Sequence, residues 1–132
     1  MNKILLLIIG IIALASCSER DGKADAMEWT TNVSQMNDGC IEVPQSGNSY
    51  IFECTNYSSF WLDDIIHING EVIRLSNKVR DEYKNEWLTV KIEKHIMCVD
   101  VLSNESSENR SAVVVVRAGN MTDGFTFSQK GI

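Results

Sequence analysis

Two histidines, His67 and His95, are the side chains best suited to acid–base chemistry near neutral pH. A nucleophilic triad needs a histidine oriented by a carboxylate and close to a serine or cysteine. Asp64 and Asp100 are nearby in sequence, but the chain has no Gly-x-Ser-x-Gly turn or comparable signature. We therefore expect both histidines to be structural or solvated, and we expect the protein not to be an enzyme.

Paired acids offer a second route to catalysis, at Asp63-Asp64 and at Asp81-Glu82. Adjacent residues of a strand point to opposite faces, so neither pair converges on one substrate. These acids are predicted to be surface charge.

Metal ligands are sparse. His95-x-x-Cys98 is a single pair without a second pair to complete a tetrahedral site. The polar run from Asn104 to Asn109 only loosely resembles a calcium loop. The sequence predicts no metal site and no cofactor.

The N-terminus has the organisation of an export signal, with Lys3 followed by the apolar run Ile4 to Leu14. The residues Leu14-Ala15-Ser16-Cys17 resemble the lipobox of bacterial lipoproteins. That resemblance implies a signal peptide over 1–16, acylation of Cys17 and a polar tether over 17–26. It also implies attachment to the outer membrane through acyl chains, because Ser18 rather than Asp follows the cysteine.

Assigning Cys17 to lipid leaves Cys40, Cys54 and Cys98. Export permits a disulfide, but one of three thiols must then remain free or pair between chains. Cys54 and Cys98 lie in apolar runs on strands expected to be neighbours, where they can pair or act as small buried side chains. We favour three free thiols.

The net charge of −6 and the absence of any basic run exclude nucleic acid as a partner. Hydrophobic residues make up 44% of the chain, enough for one globular domain.

The pattern of that domain is period two, which is typical of strands. It recurs at 41–43, 50–54, 88–93, 99–101 and 125–128, while Ala112 to Val116 is continuous and β-branched. Polar breaks fall at 44–49, 103–109 and 119–124. We predict an all-β antiparallel sandwich of seven or eight strands.

Asn69-Gly70 is the sharpest local signal, because a type I′ turn needs positive φ at both central residues. In this hairpin Ile66 is opposite Ile73 and His67 is opposite Val72, with the isoleucines facing the core. The polar stretch 76–85 is expected to be a short helical turn or a long loop.

From Gly39 to Gln129 the chain resembles the BACON family, immunoglobulin-like modules of Bacteroidota surface proteins. The resemblance is carried by the following stretches: Tyr50 to Asn56, Phe60 to Leu62, Glu86 to Leu88, Val99 to Val101, Arg110 to Val116 and Phe125 to Gly131. It implies an immunoglobulin-like sandwich over 27–132. Similar modules bind glycans or mucin in some proteins and act as spacers in others.

Exposed aromatic rings are the remaining route to function, since sugars stack on them. The positions of Trp61 and Trp87 are mostly core in the resembling family, which leaves Tyr57, in the turn 55–59, as the expected platform. Asn56, Ser58 and Ser59 would then bond sugar hydroxyls. The alternative is that Tyr57 merely packs over the turn.

The sequence thus predicts a non-catalytic, lipid-anchored envelope protein that binds a glycan. The alternative is a spacer or adhesion subunit that contacts another envelope protein.

Overall fold

The structure, a computed structural model, describes residues 25–132. The predicted signal peptide, Cys17 and most of the predicted tether lie outside these residues. The described part forms ten strands: β1 (Trp29–Thr31), β2 (Cys40–Val43), β3 (Asn48–Cys54), β4 (Trp61–Ile68), β5 (Glu71–Arg74), β6 (Glu82–Lys84), β7 (Leu88–Glu93), β8 (Ile96–Val101), β9 (Arg110–Ala118) and β10 (Met121–Gln129). Residues 25–132 contain no helix long and apolar enough to cross a membrane.

The strands build two five-stranded sheets. Sheet A has the order β1-β3-β8-β7-β6, and sheet B has the order β2-β10-β9-β4-β5. The alternating burial along nearly every strand places one face of each sheet in a shared core. The prediction of an all-β sandwich is confirmed.

The strand count and the pairing differ from the prediction. Residues 25–132 form ten strands rather than seven or eight, because β1 and β6 are three residues long and too short to show alternation. One pairing is parallel, between β2 and β10, with Ile41 opposite Phe127. Strands so distant in sequence have no connecting turn from which their direction can be read.

Aromatic rings fill the centre between the sheets. Phe52 lies 4.5 Å from Phe125 and 6.1 Å from Phe127, measured between ring centroids. Trp29 stands edge-on to Phe60 and Phe125, with ring centroids 5.1 and 5.2 Å away. Its indole Nε1 donates to Asp123 at 2.8 Å, so the ring closes one edge of the core while its polar group stays bonded.

The Asn69-Gly70 hairpin is confirmed. Ile66 is opposite Ile73 and His67 is opposite Val72, and the turn residues have φ of 51° and 84°. Ile66 is buried, and Ile73 packs partly buried against the core.

The polar stretch 76–85 contains no helical turn. Its last part forms β6, where Tyr83 is opposite Val90 of β7. Its first part is held by Arg80, whose backbone carbonyl accepts from the amide of Leu62 at 2.7 Å. A single partly buried tyrosine was too weak a signal to predict this strand.

The sandwich has two ends, which we call the entry end and the far end. At the entry end, where the described chain begins, Glu28 accepts a hydrogen bond from the backbone amide of Thr55. At the far end lie the loops 44–47 and 102–109, the hairpin turn 69–70 and the segment 130–132. There Arg110 donates to Gln129 at 2.8 Å and its guanidinium carbon lies 4.5 Å from the centre of the Trp87 ring.

Candidate functional site

Tyr57 lies at the entry end and is half-buried against the core. Its hydroxyl donates to the backbone carbonyl of Asp25. Burial, together with the nearby Asp25 carboxylate, raises the pKa of Tyr57. The expectation that Tyr57 is the most exposed aromatic ring is wrong: it packs over its turn, as the alternative had it.

One polar neighbour of Tyr57, Asn56, also bonds to the entering chain. Asn56 accepts from the amide of Glu28 at 2.9 Å and donates to the carbonyl of Ala26 at 2.8 Å. Ser58 and Ser59 are exposed in the loop. Asn56 and Tyr57 therefore fasten the entering chain to the domain, and this local role accounts for both side chains.

Trp61 is exposed, contrary to the prediction, whereas Trp87 is buried as expected. The cause is strand alternation: Leu62, 1% exposed, takes the inward position of β4 and leaves Trp61, 38% exposed, on the outer face of sheet B. Only the register of β4 decides which of two adjacent large apolar residues faces inward.

Arg117 lies directly across from Trp61 on β9. Its Nε and Nη2 both contact Asp63 Oδ1, at 3.0 and 2.9 Å. This two-nitrogen contact holds the guanidinium in one orientation. Thr122 of β10 is opposite Arg117 on its other side and is exposed.

A bulge between Leu62 and Ile66 positions the acids of β4. Asp63 pairs with Arg117, and its neighbour Asp64 pairs with Arg80 at 3.1 Å. The prediction that these acids do not converge on one substrate agrees with this arrangement. The arginine partners were not predicted, because both are distant in sequence.

We call Trp61, Asp63, Arg117 and Thr122 the Trp61 face. It combines an exposed indole with a fixed carboxylate, a guanidinium and a hydroxyl on one sheet surface. An aromatic ring stacks on the apolar C–H face of a sugar, and such polar groups bond its hydroxyls. The arrangement holds no nucleophile paired with a base.

The histidines are far apart in the fold. His95 Nε2 is 3.1 Å from Glu53 Oε2 on the surface of sheet A. His67 is half-buried on the outer face of sheet B, between Val72 and Val113. Within residues 25–132 no group of three or more His, Cys, Asp or Glu side chains is arranged to hold a metal.

The cysteines at 40, 54 and 98 are free thiols. Cys54 and Cys98 lie on paired strands, β3 and β8, as expected. Cys54 is buried, and burial raises the pKa of its thiol. Cys98 is exposed opposite Ile51, so the two thiols lie on opposite faces of sheet A, and of the two alternatives left open Cys98 is neither paired with Cys54 nor a small buried side chain.

Comparison with solved structures found an NMR structure of a protein from Bacteroides thetaiotaomicron. It is 35% identical, with a TM-score of 0.77, over 86% of this chain and 93% of that one. The M1 domain of titin is 10% identical with a TM-score of 0.46, over 78% of this chain and 93% of that one. The M4 structure of titin is 8% identical with a TM-score of 0.43, over 83% of this chain and all of that one (100%). No protein-family model and no curated protein matches the chain, so the BACON resemblance stays a prediction.

Proposed function

We propose that this chain, which belongs to the same family as the Bacteroides thetaiotaomicron protein whose NMR structure it matches, is a non-catalytic, lipid-anchored envelope protein that binds carbohydrate. The binding surface is the Trp61 face rather than the Tyr57 loop. The anchor is the acylated Cys17, and the location is the outer membrane.

The observation that carries the proposal is the exposure of Trp61 beside the fixed Arg117–Asp63 pair. An indole that stays in water does not gain the hydrophobic free energy that burial of a large ring provides. The guanidinium and carboxylate beside it already hold each other in place. A sugar hydroxyl therefore meets groups that are oriented before it binds.

The export signal and the Leu14-Ala15-Ser16-Cys17 motif support the location. A membrane anchor of two or more acyl chains keeps a domain at the surface for long times, since each buried methylene contributes about 0.8 kcal/mol. When many copies are anchored to one surface, weak binding at each single site adds up to a higher overall affinity.

A glycan array probed with the full chain in detergent tests the proposal. The unmodified protein and Val72→Ala, a matched loss of an exposed apolar side chain on the same sheet, should bind the same glycans. Trp61→Ala should bind them about tenfold less tightly or not at all. Tyr57→Phe, which removes only the hydroxyl, should bind normally. Equal binding by Trp61→Ala contradicts the assignment of the site.

A second candidate function, protein interaction, is favoured by the outer face of sheet A. Ile51 is 48% exposed and Ile96 is 37% exposed, and both border the exposed Cys98. This function replaces carbohydrate binding if the array shows no glycan bound and two variants behave differently. Ile51→Glu should then abolish an interaction with another envelope protein, and Trp61→Ala should leave that interaction intact.

A further inference from the structure

The outer face of sheet B continues past the Trp61 face along β9 and β10. Burial alternates along β9, where Val114 and Val116 lie in the core, so the residues between and beside them point outward. Three of these outward residues have partners on the same face of β10, in the pairs Arg117 with Thr122, Val115 with Gly124, and Val113 with Thr126. We call these six residues the β9–β10 track.

The contacts of the fold do not require a glycine at position 124. Its φ is not in the left-handed region, and the β9–β10 register runs past it without a bulge. A Cβ built on Gly124 would lie 3.7 Å from its nearest neighbour, the Val114 carbonyl oxygen, which is an ordinary contact. A Cβ on Gly39 would lie 2.8 Å from the Gly124 carbonyl oxygen, but that contact requires glycine at 39 and not at 124. Glycine weakens the interior of a strand, and it often marks a place where a ligand approaches the backbone.

The missing side chain leaves a shallow floor between two hydroxyl groups. Thr122 and Thr126 are the outward residues on either side of Gly124 along β10, and Val115 beside it is half-buried. Trp61 stands at one end of this floor, in the same row as Thr122. An aromatic platform, an apolar floor and flanking hydroxyls together form a surface suited to a sugar.

The charge of the track favours a neutral ligand. Among its six residues Arg117 is the one that carries a charge, and Asp63 neutralises it through the contacts of both nitrogens. The chain as a whole has a net charge of −6, which repels anions. An anionic ligand would therefore meet a repelling protein without an unpaired cation in the track to hold it.

We propose that the carbohydrate of the Trp61 face is a neutral, linear saccharide chain that lies along β9 and β10, with one sugar on Trp61 and the next ones over Gly124 and beside Thr126. This inference rests on the proposed function, because it extends the same site. The track is about 13 Å long from Thr122 to Thr126, given the rise of a strand per residue. That length exceeds one sugar ring, so the ligand is a chain and not a single sugar.

Calorimetric titration of the full chain in detergent tests the length of the ligand. The probes are neutral oligosaccharides of one to four units from the malto, cello, manno and galacto series. In a series that binds, the trisaccharide should bind about tenfold more tightly than the monosaccharide, because its added sugars contact Gly124 and Thr126. No binding in any series, or equal affinity of monosaccharide and trisaccharide, overturns the proposal.

A matched acidic sugar tests the charge of the ligand. The trisaccharide of the series that binds is compared with the same trisaccharide in which one hydroxymethyl group is oxidised to a carboxylate. The acidic form should bind several-fold more weakly, because the track offers it no unpaired cation. Equal or tighter binding of the acidic form overturns the assignment of a neutral ligand.

Gly124→Val tests the path of the chain. The new side chain has room and a β-branched residue favours a strand, so the melting temperature should not fall. It should fill the floor, so the trisaccharide binds about tenfold more weakly while the monosaccharide, which needs only Trp61, binds as before. Thr126→Val, which keeps the shape and removes the hydroxyl, should weaken the trisaccharide several-fold. Ser49→Val, at an exposed position of β3 on the other sheet, is the control and should bind normally.

The failure of this inference and the failure of the proposed function give different results. Unchanged trisaccharide binding by both Gly124→Val and Thr126→Val overturns the track and leaves the Trp61 face as the site. Unchanged binding of every sugar by Trp61→Ala overturns the proposed function and the track with it.

Discussion

At the scale of single residues, buried polar side chains determine how the far end is built. Gln129 is buried, accepts from Arg110 and donates to the carbonyls of Pro44 and Leu102 at 2.9 and 3.0 Å. One side chain thereby joins β10 to the loops that follow β2 and β8. Buried amides of this kind are costly to lose, because their partners are left without hydrogen bonds.

Gln129→Leu should therefore lower the free energy of unfolding by at least about 2 kcal/mol, since each buried group left unpaired costs roughly 1–3 kcal/mol. Thermal unfolding followed by circular dichroism measures this. The matched control is Gln35→Leu, the same change at an exposed position, which should stay within about 0.5 kcal/mol of the unmodified protein. Equal midpoints for the two variants would contradict the role assigned to Gln129.

The thiols should react according to their burial. In the native protein iodoacetamide should modify Cys40 and Cys98 quickly, whereas Cys54 should react only after unfolding. The thiolate is the reacting form, and the raised pKa of Cys54 adds to its steric protection. Peptide mass mapping after timed alkylation reports each site; fast labelling of Cys54 would be inconsistent with its place in the core.

The aromatic residues show the limit of predicting burial from residue type alone. Trp61 and Tyr57 exchanged their expected roles, although both lie within a short stretch of sequence. Residue type alone favours burying tryptophan, but the register of β4 placed Leu62 inward. The hydrogen bond from Tyr57 to Asp25 joins parts of the chain that show no common pattern in the sequence.

At the scale of elements, neighbouring residues were enough to predict the Asn69-Gly70 hairpin but not the bulge in β4. The turn depends on two adjacent residues that tolerate positive φ. The bulge lies where Asp63 and Asp64 pair with Arg117 and Arg80, which come from elsewhere in the chain. Prediction succeeded where the determinant is local and failed where it is not.

Gly70→Val tests the hairpin. Gly70 has φ of 84° and open space around it, so a new side chain meets strain and no clash. A β-branched residue in that conformation should cost about 1–3 kcal/mol. Glu71→Val, the same side chain one residue later on β5, should change the unfolding free energy little. Equal effects of the two changes in a denaturant titration would count against the type I′ turn.

At the scale of the whole molecule, the sandwich places the entering chain at one end and the loops 44–47 and 102–109 at the other. The period-two pattern of apolar residues predicted a sandwich, yet the parallel pairing of β2 with β10 joins strands that are distant in sequence. How the far-end loops come together, as where Gln45 donates to the Asn104 carbonyl, could not be predicted from the sequence, since these loops belong to separate parts of the chain.

Lipidation of Cys17 stays a prediction, because the residue lies outside those the structure describes. Metabolic labelling with an alkyne palmitate analogue should mark the protein and leave it membrane-bound. Cys40→Ala, which removes another cysteine, should keep the label, and Cys17→Ala should lose both label and membrane attachment. A labelled, membrane-bound Cys17→Ala protein would refute the anchor.

The most direct test of carbohydrate binding is the indole region of a ¹H–¹⁵N NMR spectrum recorded while a glycan from the array is added. Each of the three tryptophans contributes one indole N–H, and Trp29 and Trp87 serve as internal references because both rings pack within the domain. The account predicts that the Trp61 indole shifts in proportion to saturation while the other two hold still. A saturated complex in which the Trp61 signal does not move would contradict it.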